Sequence, residues 1–132
     1  MVDLKTQYLK IEDEIDHAIK EVVSNSSFIN GPAVKKFTSE LERYLDVDYV
    51  IPCGNGTDAL QIALMSLDLN PGDEIITSTF SFIATAEVIA LLKLKPVFVD
   101  VYAKNFNLIP SEIEKVITDK TRAIIPVHLF GQ

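Results

Sequence analysis

Residues 52–60 read PCGNGTDAL and lead straight into the apolar run ALQIALMSL. Gly54 and Gly56 flank an asparagine, Thr57 brings a hydroxyl and Asp58 a carboxylate. Glycine at such a turn permits positive φ and lets backbone come close to a ligand. A helix starting near Thr57 aims unpaired N–H groups and the positive end of its dipole at the same space, worth ~0.3 to 2 kcal/mol to an anion. A phosphate fits that description, with the Thr57 hydroxyl as a further donor. Two charges ~4 Å apart repel by about 4 kcal/mol at an effective dielectric of ~20, so the Asp58 carboxylate must face away and offer only its backbone N–H. The bland alternative is that Thr57 or Asp58 merely caps the helix, with no ligand. GNGTDA also matches the dinucleotide pattern G-x-G-x-x-A, which requires an acid about 20 residues on, at the carboxyl end of the next strand. Asp73 and Glu74 have that separation but precede IITS, at the wrong end of the strand.

The elements that hold this turn follow from hydrophobic periodicity. Ile11, Ile15, Ile19 and Val22 recur at helical spacing, as do Val34, Phe37, Leu41 and Tyr44, with Pro32 in the first turn of the second helix. Four short runs then read as buried strands: DYVIP from Asp48, EIITS from Glu74, PVFVD from Pro96 and AIIPVHL from Ala123. Helices over 58–67, 83–92 and 111–117 separate them, the last with Ser111 and Glu114 at capping-box spacing. Strands alternating with helices at this length predict parallel βαβ units with both sheet faces covered. The fold class is α/β: a helical segment over 1–47, then βαβαβαβ over 48–132.

Composition narrows the function. The chain has 132 residues, a size suited to one domain. A formal net charge of −7 argues against nonspecific binding to nucleic acid or an anionic membrane. No run approaches the ~20 apolar residues of a spanning helix, and the first segment lacks the features of a signal peptide. These features, with a lone Cys53 expected to be a small buried apolar residue, place the protein in the cytoplasm. Two histidines and one cysteine do not make a usual zinc site, so no metal is expected. His17 sits among acids on a solvated helix face. The chain stops at Gln132, just after IIPVHLFG, with no helix to cover that strand, and so reads as the first part of a larger protein.

GNGTDALQIAL, PGDEIITSTFSFIATAEVI, KPVFVDV and IEKVITDKTRAIIPVHLFGQ, in this order, resemble the amino-terminal part of the DegT/DnrJ/EryC1/StrS sugar aminotransferases. The VDLKTQY start and FINGPAVKKFTSELERYL extend the likeness over essentially the whole chain. The resemblance implies the large domain of a fold type I, pyridoxal 5′-phosphate-dependent transferase. It also implies a homodimer that aminates nucleotide-linked keto sugars with glutamate as donor, in making amino sugars for surface polysaccharide or related glycans. Residue by residue, it assigns Gly56, Thr57 and Asp58 to the cofactor phosphate and Phe82 to stacking on the pyridine ring, with Phe80 packing inward. His128 either lines the site or is structural.

The Schiff-base lysine and the carboxylate that pairs with the pyridine nitrogen are expected beyond Gln132, so no catalytic residue is assigned in this chain, which alone should not transaminate. Lys93 and Lys95 read as solvated, at the amino end of a strand. Three other readings stand beside this one: a non-enzymatic remnant that only dimerises or binds, a family dehydratase, and an NAD-type oxidoreductase.

Overall fold

The computed structural model describes residues 2–132, which divide into two compact units, the first ending at Pro52 and the second Cys53–Gln132.

The first unit carries α1 (Leu4–Ser24) and α2 (Pro32–Leu45). Asp3 caps α1, its carboxylate accepting the Thr6 N–H at 3.0 Å and the Thr6 hydroxyl at 2.7 Å. Those bonds favour the ionised form and hold the Asp3 carboxyl below its ordinary range. The helix is broken at Ile11, where φ is −129° and ψ 18°. The Tyr8 hydroxyl reaches past the break to donate to Asp16 at 2.9 Å, a bond that pushes the phenol up to about 12. Between the helices a Cβ on Gly31 would lie 2.4 Å from the Ser27 carbonyl oxygen, so only glycine allows that close approach. Pro32 then opens α2 at its first position, where a missing N–H costs nothing.

The DYVIP segment is not a strand, contrary to expectation. A strand needs a neighbouring ladder for its backbone groups, and residues 48–52 pair with none of the described strands. Val50 donates its N–H to the Glu42 carboxylate at 3.1 Å instead, and Tyr49 and Ile51 are exposed.

The second unit holds α3 (Gly56–Met65), β1 (Glu74–Ser78), α4 (Ala84–Leu91), β2 (Lys95–Val99), α5 (Pro110–Val116) and β3 (Thr121–Ile125). The sheet is parallel with order β2-β1-β3, so one crossover runs to each side of β1. Right-handed crossovers in opposite directions put α4 and α5 on opposite faces. Ile75 and Ile76 point to opposite faces of the central strand and both are fully buried, so both faces are covered there. On the Ile75 side the core is Leu64, Val88, Ile89 and Leu94. Only β1 is buried throughout; β2 and β3 are edge strands and part-exposed. Pro96 is tolerated in β2 for that reason, and β3 stops at Ile125, just before Pro126. The capping box expected at Ser111 is absent: Pro110 takes the first helical position, Ile109 is the cap residue, and no side chain bonds there.

Glu74 opens β1 and is buried, yet ionised. Its carboxylate accepts the Thr118 hydroxyl at 2.6 Å and the Lys95 ammonium at 2.9 Å, Lys95 being its register partner across the ladder. The Thr118 bond first, then Lys95, hold its carboxyl below the ordinary value of 4.5. A depressed folded-state pKa contributes stability above the unfolded value and loses it as pH falls through the folded one. Stability should therefore decline as the pH drops below about 4.5, and Glu74→Gln should flatten that decline in urea titrations run between neutral and acid pH.

Candidate functional site

The helix mouth singled out in the sequence is α3, which starts at Gly56 with Asn55 as its cap. The Asn55 backbone is extended (φ −166°, ψ 177°), and its Oδ1 accepts the Asp58 N–H at 2.9 Å. Its Nδ2 donates to the Asp58 carboxylate at 3.0 Å, so cap and first turn hold each other reciprocally. Two expectations change. The cap is Asn55 rather than Thr57 or Asp58, and the Asp58 N–H, expected to serve an anion, is already taken. The Asn-x-x-Asp spacing, kin to the capping box, was the available signal. Among the described residues, the Gly56 and Thr57 N–H groups have no hydrogen-bond partner. A Cβ on Gly54 would lie 2.8 Å from Asp58 Oδ2, whereas one on Gly56 would meet nothing within 4 Å. The turn is thus tight behind Gly54 and open in front of Gly56. Asn55→Ala should cost about 0.5 to 2 kcal/mol of stability, read by thermal melting, because it removes the cap and frees the Asp58 carboxylate from its amide.

The direction of the mouth follows from the core. Leu64, near the end of α3, packs at the level of Ile75 and Leu94, beside the amino ends of β1 and β2. Ten helical residues span about 15 Å and five strand residues about 16 Å. Helices of such units run antiparallel to their strands, so an α3 anchored at Leu64 is expected to bring its start toward the carboxyl rim of the sheet, the side on which open α/β sheets take ligands.

Two further candidates stand on that rim. Phe82 follows β1 and precedes α4 and is 74% exposed, so its side chain is available to a flat ligand. The turn before it is braced by the Ser78 hydroxyl, which accepts the Phe80 N–H at 3.0 Å and donates to the Phe80 carbonyl at 3.1 Å. His128 follows β3 and is exposed, its Nδ1 2.8 Å from the Gln132 backbone oxygen. Phe80 does not pack inward as expected: it is half-exposed and stacks on Phe106 at 4.9 Å. Cys53 is exposed rather than buried, and its thiol donates to the Asn55 carbonyl at 3.4 Å.

The dinucleotide alternative loses its acid. Asp73 lies 3.6 Å from the Arg122 guanidinium, and Glu74 is engaged by Thr118 and Lys95, all at the amino rim. Among the described residues no cluster of three His, Cys, Asp or Glu could hold a metal ion, and no helix is long and apolar enough to cross a membrane.

The model of the DegT/DnrJ/EryC1/StrS aminotransferase family matches residues 9–132. The chain belongs to this family. Among relatives of this DegT/DnrJ/EryC1/StrS chain, the UDP-2-acetamido-2-deoxy-3-oxo-D-glucuronate aminotransferase of Pseudomonas aeruginosa is 47% identical over 99% of the chain and 36% of its own length. The crystal structure of DesV from Streptomyces venezuelae, in complex with a ketimine intermediate, superposes with a TM-score of 0.92 at 36% identity. That match covers 98% of this chain and 35% of DesV. The Bacillus subtilis protein ntda, with bound cofactor PMP, gives a TM-score of 0.88 at 38% identity over 93% of this chain and 28% of its own. The chain thus spans about a third of the length of the curated relatives it matches. Its three-stranded parallel sheet and helices are part of the pyridoxal-phosphate-dependent aminotransferase fold.

Proposed function

We propose that this chain is the phosphate-seating part of a pyridoxal 5′-phosphate-dependent aminotransferase that acts on nucleotide-linked keto sugars in the cytoplasm, with glutamate as amino donor and as a homodimer. The observation that carries the reading is the pair of unpartnered N–H groups at Gly56 and Thr57, at the carboxyl rim of a chain that belongs to this aminotransferase family. The residues suit the cofactor: nothing lies within 4 Å of where a Cβ on Gly56 would sit, so the mouth of α3 is open there to an anion.

When bound, pyridoxal phosphate supplies an electron sink and carries the amino nitrogen between donor and acceptor. Gly56 and Thr57 hold its phosphate through backbone N–H groups, and the Thr57 hydroxyl adds a third donor. Asp58 holds the turn through Asn55 rather than touching the anion directly, its charge offset by the helix dipole. Phe82 supports the ring, and His128, after the neighbouring strand β3, lines the site. Lys93 and Lys95 stand at the other end of the strands, Lys95 in its bond to Glu74, so neither is the amine that links to the cofactor. The substrate class proposed is that of the Pseudomonas aeruginosa relative, a UDP-2-acetamido-2-deoxy-3-oxo-D-glucuronate aminotransferase.

Titrating the chain with pyridoxal phosphate and with pyridoxamine phosphate, followed by absorbance, tests this. Saturable binding competed by inorganic phosphate is expected, with no thermal protection by NAD or NADP and no turnover of a UDP-linked 3-oxo sugar with glutamate. Absence of saturable binding, or selective protection by a nicotinamide nucleotide, would overturn the reading.

A further inference from the structure

Phe106 has a backbone that an aromatic residue seldom adopts, with φ at +61°. It sits at the end of a hairpin closed by an antiparallel bridge between Val101 and Leu108. Inside it, Tyr102 donates its N–H to the Asn107 carbonyl at 2.9 Å and accepts the Phe106 N–H at 2.8 Å. The Asn105 side chain accepts the Asn107 N–H at 3.1 Å. A left-handed phenylalanine is unfavourable unless its surroundings hold it there, and such residues gather at functional sites. Asparagine or glycine would meet the backbone requirement at less cost, so the ring must be what the position needs.

The ring has two partners. It stacks on Phe80 at 4.9 Å with 26° between planes, and it meets Phe130 edge-on at 5.4 Å and 74°. Both are favourable aromatic geometries. Phe80 belongs to the loop after β1 and precedes Phe82 by two residues, while Phe130 belongs to the segment after β3 and follows His128 by two. One side chain on the β2–α5 connection therefore ties together the two rim segments that carry the exposed candidates. Phe80 and Phe130 are themselves 51% and 67% exposed, and the other bonds of the two segments are local ones, Ser78 to Phe80 and His128 to Gly131 and Gln132, with one further bond from Thr79 to Val99.

We propose that Phe106 is a positioning residue, a latch that sets the Phe82 loop and the His128 segment relative to the mouth of α3. This rests on the cofactor seat proposed above. The latch acts on the ring end of the ligand, since α3 holds the phosphate through its own backbone and cap. Loss of the Phe106 ring should consequently weaken recognition of the pyridine ring while sparing recognition of phosphate.

The test compares the full chain with Phe106→Asn, which suits the left-handed backbone but has no large ring, with Phe106→Tyr, which keeps the ring, and with Phe130→Leu at an exposed position. Affinities for pyridoxamine phosphate and for inorganic phosphate are measured separately, together with hydrogen exchange of the amides over 79–83 and 127–131. Phe106→Asn should bind pyridoxamine phosphate about fivefold to tenfold more weakly, with phosphate affinity unchanged and faster exchange in both segments. Phe106→Tyr should restore all three, and Phe130→Leu should speed exchange over 127–131 alone. Equal loss of both affinities would reduce Phe106 to a stability role and overturn the proposal, as would unchanged exchange in the two segments. If the unsubstituted chain binds phosphate but no pyridoxamine phosphate, the cofactor reading fails, and the exchange pattern by itself decides the latch.

Discussion

Thr57→Glu should weaken pyridoxal phosphate binding by about two to three orders of magnitude while leaving the melting temperature nearly unchanged. The new carboxylate replaces a hydroxyl donor in the first turn of α3, beside the unpartnered N–H groups of Gly56 and Thr57. Two negative charges ~4 Å apart at an effective dielectric of ~20 repel by about 4 kcal/mol, which is ~1000-fold in affinity, and salt reduces it. The same charge is favourable to the helix itself, because acids in a first turn complement the macrodipole. Binding and folding therefore move independently, and that separation makes the experiment decisive. Titration with pyridoxal phosphate and a thermal melt monitored by circular dichroism read the two quantities. Undiminished affinity would remove α3 as the phosphate seat. Thr57→Ser should bind nearly as well, since it keeps both the hydroxyl and the N–H.

The second large effect is on folding. Ile75→Ala should destabilise the second unit by about 2 to 5 kcal/mol, seen as a lower midpoint in urea. Ile75 is fully buried on the central strand and packs against Leu64, Val88, Ile89 and Leu94. Each of its strand neighbours is an edge strand, so the space its side chain leaves must be closed by helices already fixed by their crossovers. A loss of that size is a large share of the ~5 to 15 kcal/mol that holds a domain folded. Ile124→Ala, on β3 and 44% exposed, should cost much less. Equal costs at the two positions would mean that the buried face of β1 is not where the stability lies.

Much of the architecture was legible because it is encoded locally. The helix starting at Pro32 follows from a proline at its first position and an apolar residue every three or four thereafter. The strand EIITS was read with its observed bounds, Glu74–Ser78, since a β-branched run between turn residues has few other uses. Two glycines predict a turn open on both sides with positive φ available, whereas only Gly56 is open, Gly54 is tight against Asp58 and neither has positive φ. The cap, Asn55, was not legible because glycine and threonine drew the reading away from it. Position along the strands also sorted the acids: Asp73 and Glu74 fell at the amino rim, as the order of residues required.

What the sequence by itself determined, then, is the set of features decided within one turn or one strand: the proline start of α2, the alternation that makes the unit α/β, and the open backbone at Gly56. The tertiary structure decided the rest. DYVIP has strand composition but no ladder to join among the described strands, and composition does not show a missing partner. The buried Glu74 stays charged because Thr118, 44 residues away, brings its hydroxyl alongside and Lys95, on the neighbouring strand, its ammonium. Phe80, Phe106 and Phe130 look like three unrelated aromatics until the parallel sheet sets their loops on one rim. Hydrophobic period reports which side of an element is apolar, whereas pairing, charge compensation and ring stacking depend on which distant segment arrives opposite, and only the folded chain settles that.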